Sequence, residues 1–218
     1  TKLNQKDKKK LLRLNVNLHE MYGTCEIGTA TSINLKINKK KSDSVGKALK
    51  NYRIKIIKDN KVCNSNNIGE IVCYSPNLFE EYYKFKTNKK EIFYQNYFKT
   101  GDYGYLDKDG YLYYTGRKKN LVKISGLSVY PEEIEKKIIK YFDLKNFIIT
   151  STNKPLDEEN LIMFVEKISK IKLNKLNRLF KSRLEKFEIP QKIIMLKKLP
   201  KTNLGKINLS KLKSYKKK

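Results

Sequence analysis

Histidine is almost missing from this sequence: His19 is the only one. No Ser–His–Asp or Cys–His catalytic arrangement can therefore be assembled within the chain. Cysteine is scarce too. Cys25, Cys63 and Cys73 are odd in number, and no two of them have metal-ligand or redox spacing. A disulfide framework is thus not indicated, and a reducing, cytoplasmic setting is expected. No apolar run approaches the length of a membrane span, no signal peptide opens the chain, and no internal repeat runs through it. Acidic residues are the remaining shortage. Asp and Glu total 22 against 49 Lys and Arg, a formal charge of +27. Such a balance ordinarily suggests nucleic acid or an anionic membrane. Here the cations are mostly Lys, spread over the whole length among abundant Asn, Ile and Tyr. That pattern reads as compositional bias on a solvated surface, without the Arg-rich, aromatic-interleaved face of a nucleic-acid reader.

What is present suffices for a folded core: 218 residues, of which 39% are apolar, make one large domain or two small ones. The chain opens on Thr1 rather than Met, so a piece of a longer polypeptide or a processed product is expected. The first part reads as β-rich. Arg53-Ile-Lys-Ile-Ile57 alternates, and Ile68-Gly-Glu-Ile-Val-Cys73 is a second short run. Tyr103-Gly-Tyr-Leu106 and Tyr111-Leu-Tyr-Tyr114 flank Asp107-Lys-Asp-Gly110, and Asp-Gly between β-rich runs predicts a hairpin. The Lys- and Asn-rich stretches at 6–10, 38–41 and 64–67 read as solvated loops.

After Gly116 the pattern changes. Pro131 opens a helix with Glu132, Glu133 and Glu135 early and Lys136, Lys137 and Lys140 late, which complements the helix dipole, and Ile134, Ile138 and Phe142 form its apolar stripe. Strands are predicted at Phe147-Ile-Ile-Thr-Ser151, Leu161-Ile-Met-Phe-Val165 and Lys192-Ile-Ile-Met-Leu196. A helix is predicted over 173–187, with Leu176, Phe180, Leu184 and Phe187 on one face and Pro190 beyond it. The second part is thus a small α+β domain, and Tyr215-Lys-Lys-Lys218 reads as a frayed end.

Four stretches carry the chemistry: Met21-Tyr-Gly-Thr-Cys-Glu26; Tyr97-Phe-Lys-Thr-Gly-Asp102; Gly116-Arg-Lys-Lys-Asn-Leu-Val-Lys-Ile-Ser-Gly126, leading to Val129-Tyr-Pro-Glu-Glu-Ile-Glu135; and Pro200-Lys-Thr-Asn-Leu-Gly-Lys206. Each is weak alone. Tyr22 could be a core tyrosine at a strand end, Asp102 a turn cap and Lys119 an exposed linker lysine. In this order and at these separations the four together resemble the AMP-forming acyl-CoA synthetase family. That superfamily of adenylate-forming enzymes also holds carrier-protein adenylation domains and beetle luciferases.

The resemblance covers nearly all of the chain from about Leu18. It implies an α+β fold in two parts. Residues 1–116 would be the β-rich end of the large adenylate-forming domain. Residues 117–218 would be a small mobile lid domain, a three-stranded sheet with flanking helices, hinged near Lys119. The implied activity uses ATP, Mg²⁺ and CoA: a carboxylic acid becomes an acyl-adenylate, and a thiol then takes the acyl group. Such chemistry needs charge neutralisation and positioning more than covalent help.

The resemblance implies roles residue by residue. Tyr22 would pack against adenine, with Gly23, Thr24 and Cys25 completing the nucleotide loop, and Glu26 would bind magnesium, whose hard charge suits carboxylate oxygen. Cys25 stands where the family usually has a hydroxyl residue, and a thiol is the weaker donor. Asp102 would accept both ribose hydroxyls, and Arg117 would reach ribose or phosphate. Lys206 would be the catalytic cation bridging substrate carboxylate and α-phosphate. Lys123, Ser125 and Gly126 would face CoA once the small domain has turned. His19 reads as a partly buried polar residue. CoA is the expected acceptor, because the stretch from Gly69 to Glu135 looks most like acyl-CoA ligases; fatty acid metabolism is one setting among several that these motifs serve.

The family's Ser/Thr/Gly-rich phosphate loop, which ends in Pro-Lys upstream of the Tyr22 motif, has no counterpart in this sequence. The resemblance therefore implies as partners the carboxylic acid, ATP, CoA and the remaining amino-terminal part of the large domain, with no specific nucleic acid and no transmembrane segment expected. The isolated 218 residues are expected to be inactive. Two alternatives stay open: a split or degenerate homologue without catalysis, and a basic protein that binds RNA or a membrane surface.

Overall fold

The computed structural model describes residues 5–82, 88–144, 146–151, 160–203, 205–212 and 215. Of the chain end read as frayed, Lys216 to Lys218 lie outside the described residues. The chain forms two compact units, Thr1–Lys119 and Asn120–Lys218.

The first unit opens with helix α1 (Gln5–Arg13). The expectation of a solvated loop at 6–10 is corrected here. Lys, Leu and Gln are strong helix formers, and Lys8 is 1% exposed, donating to Glu20 and to the Ser42 carbonyl. The buried cation with its partners fixes a helix that composition alone would leave in water. Strands β1 (His19–Thr24), β2 (Gly28–Asn34) and β3 (Lys47–Ala48) form an antiparallel sheet.

A larger sheet follows from β4 (Arg53–Lys58), β5 (Lys61–Val62), β6 (Gly69–Tyr74), a short helix α2 (Lys89–Ile92), β7 (Phe93–Tyr94), β8 (Tyr97–Leu106) and β9 (Leu112–Arg117). Its order is β5-β4-β6-β8-β7, with β9 also on β8. The predicted hairpin is present. Asp107 Oδ1 accepts from the amides of Asp109 (3.0 Å) and Tyr111 (2.9 Å), and Gly110 takes φ +79°. β8 is longer than expected, because the Thr100-Gly101-Asp102 stretch lies inside it and not in a turn. Tyr22, Val45, Ile56, Ile71 and Leu112 form one core cluster, and Ile27, Ala30, Cys73 and Phe98 another.

The second unit begins with the hairpin β10 (Val122–Ile124) and β11 (Leu127–Val129), turned by Ser125 (φ 48°) and Gly126 (φ 81°). Two consecutive positive φ values make the primed turn that strand twist favours. Helix α3 (Pro131–Tyr141) starts at proline as expected. β12 (Phe147–Ser151), β13 (Leu161–Glu166) and β14 (Lys192–Leu196) form the expected three-stranded sheet, with β13 central, antiparallel to β12 and parallel to β14. Helix α4 spans Lys170–Arg183, earlier than the 173–187 expected. Ser169 sets the start by accepting the Lys172 amide, and the chain then breaks at Leu184 into a 3-10 turn over Lys186–Glu188. α5 (Leu209–Leu212) closes the unit.

β13 is buried on both faces, which explains its unbroken apolar run. Ile149, Met163 and Val165 meet Ile134, Ile138, Leu176 and Phe180 on one side, and Ile162 and Phe164 meet Leu199 and Leu212 on the other. Burying a side chain of this size contributes roughly 1.5–3 kcal/mol, so these two layers fix the unit that carries the end of the third motif and the fourth. No helix among the described residues is long and apolar enough to cross a membrane.

Candidate functional site

Three stretches distant in sequence meet at one end of the first unit. β1 and β2 are joined by a tight turn over residues 25–27, where the Ile27 amide donates to the Thr24 carbonyl at 3.3 Å. Ile27 is fully buried, and its carbonyl accepts from Tyr52 (3.1 Å) and Ser75 (3.0 Å); the Phe79 amide donates to the Glu26 carbonyl (3.0 Å). The turn is thus clamped from three directions. Gly23 has a packing reason of its own: a Cβ there would stand 2.0 Å from the Gly28 carbonyl oxygen. Cys25 is exposed on the turn.

Glu26 is half-buried, and its Oε1 accepts from the Tyr82 hydroxyl at 2.8 Å. Burial pushes its pKa up, but the Thr24 and Tyr82 hydroxyls, its own backbone and the charge of Arg117 outweigh this and hold the carboxyl below its usual range. Thr24 Oγ1 is screened from solvent and has no well-aligned hydrogen-bond partner among the described residues, although it stands near enough to act on Glu26. Tyr82 rises to about 12, first through burial and then through its bond to Glu26.

Asp102 is 2% exposed. A buried carboxylate must be paired, and this one is. Tyr22 Oη donates to Oδ2 at 2.9 Å, and Arg117 Nε lies 2.9 Å from Oδ1. The pairing follows from register, since Asp102 on β8 stands directly across from Arg117 on β9. The Asp102 amide donates to Thr100 Oγ1 (3.1 Å), which donates in turn to the Ile71 carbonyl (2.8 Å). Gly101 takes φ +68° with open space around it, so conformation alone calls for glycine there. Tyr22 lies in a core cluster, with the Tyr114 ring 6.3 Å away, and burial followed by the Asp102 charge holds its hydroxyl strongly protonated. Beside this group, Lys118 pairs with the buried Glu70 at 3.0 Å, which raises the lysine.

The remaining predicted residues sit elsewhere. Lys119 is exposed in a 3-10 turn over Lys118–Asn120, at the boundary of the two compact units. In the second unit Lys123 is exposed and donates to Ser128 Oγ (2.6 Å), and Ser125 and Gly126 form the β10–β11 turn. Lys206 is exposed on a tight turn: the Gly205 amide donates to the Thr202 carbonyl (2.9 Å), the Thr202 amide to the Lys206 carbonyl (2.7 Å), and Gly205 takes φ +77°. His19 is exposed on β1, not partly buried as expected, because β1 is the edge of its sheet. Sequence reasoning missed Tyr82 and Thr100. No spacing marks Tyr82, and Thr100 acts only through the strand geometry around Asp102.

The chain is similar in sequence and in fold to known proteins. The family model described as "AMP-binding enzyme" matches residues 1–83. The chain is 27% identical over 199 residues to the 2-succinylbenzoate–CoA ligase of Bacillus subtilis, covering 91% of this chain and 41% of that protein. It is 32% identical over 173 residues to the enzyme of the same name from Listeria monocytogenes, covering 79% and 35%. The chain therefore spans well under half the length of these curated relatives. Among solved structures, the o-succinylbenzoate CoA synthetase of B. subtilis in complex with its acyl-adenylate intermediate matches with a TM-score of 0.83 and 26% identity, over 94% of this chain and 43% of that one. Motifs, fold and relatives agree: the chain belongs to the adenylate-forming acyl-CoA synthetase family and corresponds to the carboxy-terminal region of its members.

Proposed function

We propose that the protein carrying this chain is an ATP-dependent acid–thiol ligase. A carboxylate oxygen attacks the α-phosphorus of ATP and pyrophosphate leaves; a CoA thiol then attacks the acyl carbon and AMP leaves. One observation carries this reading. Tyr22 and Arg117 converge on Asp102, and the charge of Arg117 also reaches Glu26, so three of the four motifs form one polar cluster.

In this reading Asp102 takes the ribose diol. Its carboxylate is enclosed, so the diol reaches it when the half-exposed Arg117 side chain swings aside. Arg117 then has its guanidinium free for phosphate. Tyr22 fixes the carboxylate through its hydroxyl and offers its ring edge to adenine. The residues fit Mg²⁺: Glu26 is held ionised with the Thr24 hydroxyl beside it. Among the described residues no group of three or more His, Cys, Asp or Glu could hold a metal by itself. An ion here would rely on phosphate oxygens and water, as Mg²⁺ commonly does, and would supply charge neutralisation. Lys206, on its exposed turn, is assigned the charge that bridges substrate carboxylate and α-phosphate. Lys123, Ser125 and Gly126 are assigned to the CoA side. The change of compact unit after Lys119 supports a hinge there and a mobile second domain.

The relatives named as 2-succinylbenzoate–CoA ligases make an aromatic acid of that kind the first candidate substrate. Others are named only as acyl–CoA ligases, so fatty and short-chain acids belong on the same panel. The test is ATP–pyrophosphate exchange by the full-length protein across that panel. One acid should stimulate exchange, and thioester should form only with CoA. Nucleotide binding without exchange on any acid would contradict the ligase reading.

A further inference from the structure

We propose that the outward face of α4 docks on an anionic lipid bilayer surface. Leu176 and Phe180 turn the helix inward, and Lys170, Ile171, Asn174, Lys175, Arg178 and Lys181 form the exposed stripe opposite. The helix carries no Asp or Glu in its 14 residues. Lys170, Lys175, Arg178 and Lys181 have no hydrogen-bond or ion-pair partner among the described residues. α3, on the same unit, shows what this sequence does elsewhere: Lys136 pairs with Glu133, and Lys137 with Glu188 at 2.6 Å. Lys175, Arg178 and Lys181 follow one another at i,i+3, where like charges repel. An anionic partner relieves that repulsion.

The chemistry of the stripe selects the partner. Ile171 is 71% exposed and sits between Lys170 and Lys175, an aliphatic side chain presented to water and flanked by cations. Lysine stems snorkel, so their chains can lie along acyl boundary while their charges meet headgroups. No aromatic residue stands on the stripe to stack a nucleobase, which disfavours RNA. At 1.5 Å per residue the face runs about 21 Å, long enough to lie along a membrane plane.

The experiment is co-sedimentation of the full-length protein with phosphatidylcholine vesicles, with and without phosphatidylserine, at low and high salt. Binding should require the anionic lipid and weaken with salt. Replacing Lys170, Lys175, Arg178 and Lys181 together by Gln keeps helix propensity, checked by circular dichroism, and should lower affinity roughly a hundredfold. Ile171→Ser should cost roughly fivefold. A matched quartet on the first unit, Lys39, Lys40, Lys47 and Lys50 to Gln, should cost less than about threefold. Equal losses from both quartets would overturn the proposal in favour of net charge. So would equal binding to neutral vesicles, no binding at all, or displacement from vesicles by an RNA oligonucleotide.

Discussion

The two units differ in how they hold the residues proposed to act. In the first, Asp102, Tyr22 and Glu26 are held by side chains from distant parts of the sequence, and the turn over 25–27 is clamped by Tyr52, Ser75 and the Phe79 amide. In the second, Lys206 and the 125–126 turn stand exposed, shaped by positive φ at Gly205, Ser125 and Gly126. The difference teaches where each kind of error would show. On the proposed roles, a change at Asp102, Tyr22 or Glu26 should touch stability and binding together, whereas a change at the exposed Lys206 should touch chemistry and leave the fold unmoved.

Lys206→Ala breaks that comparison most sharply. Its exposed side chain predicts an unchanged melting temperature, while adenylate formation by the full-length protein should fall on the order of 10²–10³-fold. A large loss of stability would show that the turn is structural. Asp102→Ala is the converse case. Removing a buried carboxylate strands the Tyr22 hydroxyl and Arg117, so denaturant unfolding should show a loss of about 2–3 kcal/mol, discounted for the half-exposed arginine, and nucleotide binding should go with it. Tyr22→Phe keeps the ring and deletes one buried hydrogen bond. It should cost about 1–2 kcal/mol in the same titration, and weaken ATP more than 2′-deoxy-ATP.

The smallest effect concerns pH. The Glu135 carboxylate is turned against β12, where it accepts the Ile149 amide at 2.7 Å; burial, followed by the Glu132 charge, pushes it up to about 8. Its proton is held more tightly when folded than when unfolded. Stability should therefore fall as pH rises from about 4.5 toward 8, with the penalty complete above that range. Glu135→Gln should flatten the slope, as read from unfolding midpoints at several pH values.

Much of this was legible in the sequence, for identifiable reasons. The 107–110 hairpin follows from Asp-Gly chemistry, and α3 from proline, early acids and a regular stripe. β1 and β2 were not legible as a pair, since neither His19–Thr24 nor Gly28–Asn34 shows a clean apolar–polar alternation. α1 was misread because its stability rests on Lys8 reaching Glu20 and Ser42, contacts made across the fold. The motif residues could be named from the sequence, but their joining could not: Asp102 meets Arg117 only through the β8–β9 register, which includes a bulge at Tyr103/Gly104. Tyr82 carries no sequence signal and acquires a role only by its distance to Glu26.

The most direct test of the account is hydrogen exchange on the full-length protein with and without ATP and Mg²⁺. The account predicts slowed exchange in residues 22–27 and 99–103, lost in Asp102→Ala where that variant remains folded, with α4 unaffected. Protection confined to other segments, or none at either stretch while ATP is demonstrably bound, would contradict the placement of the nucleotide at Asp102 and Glu26.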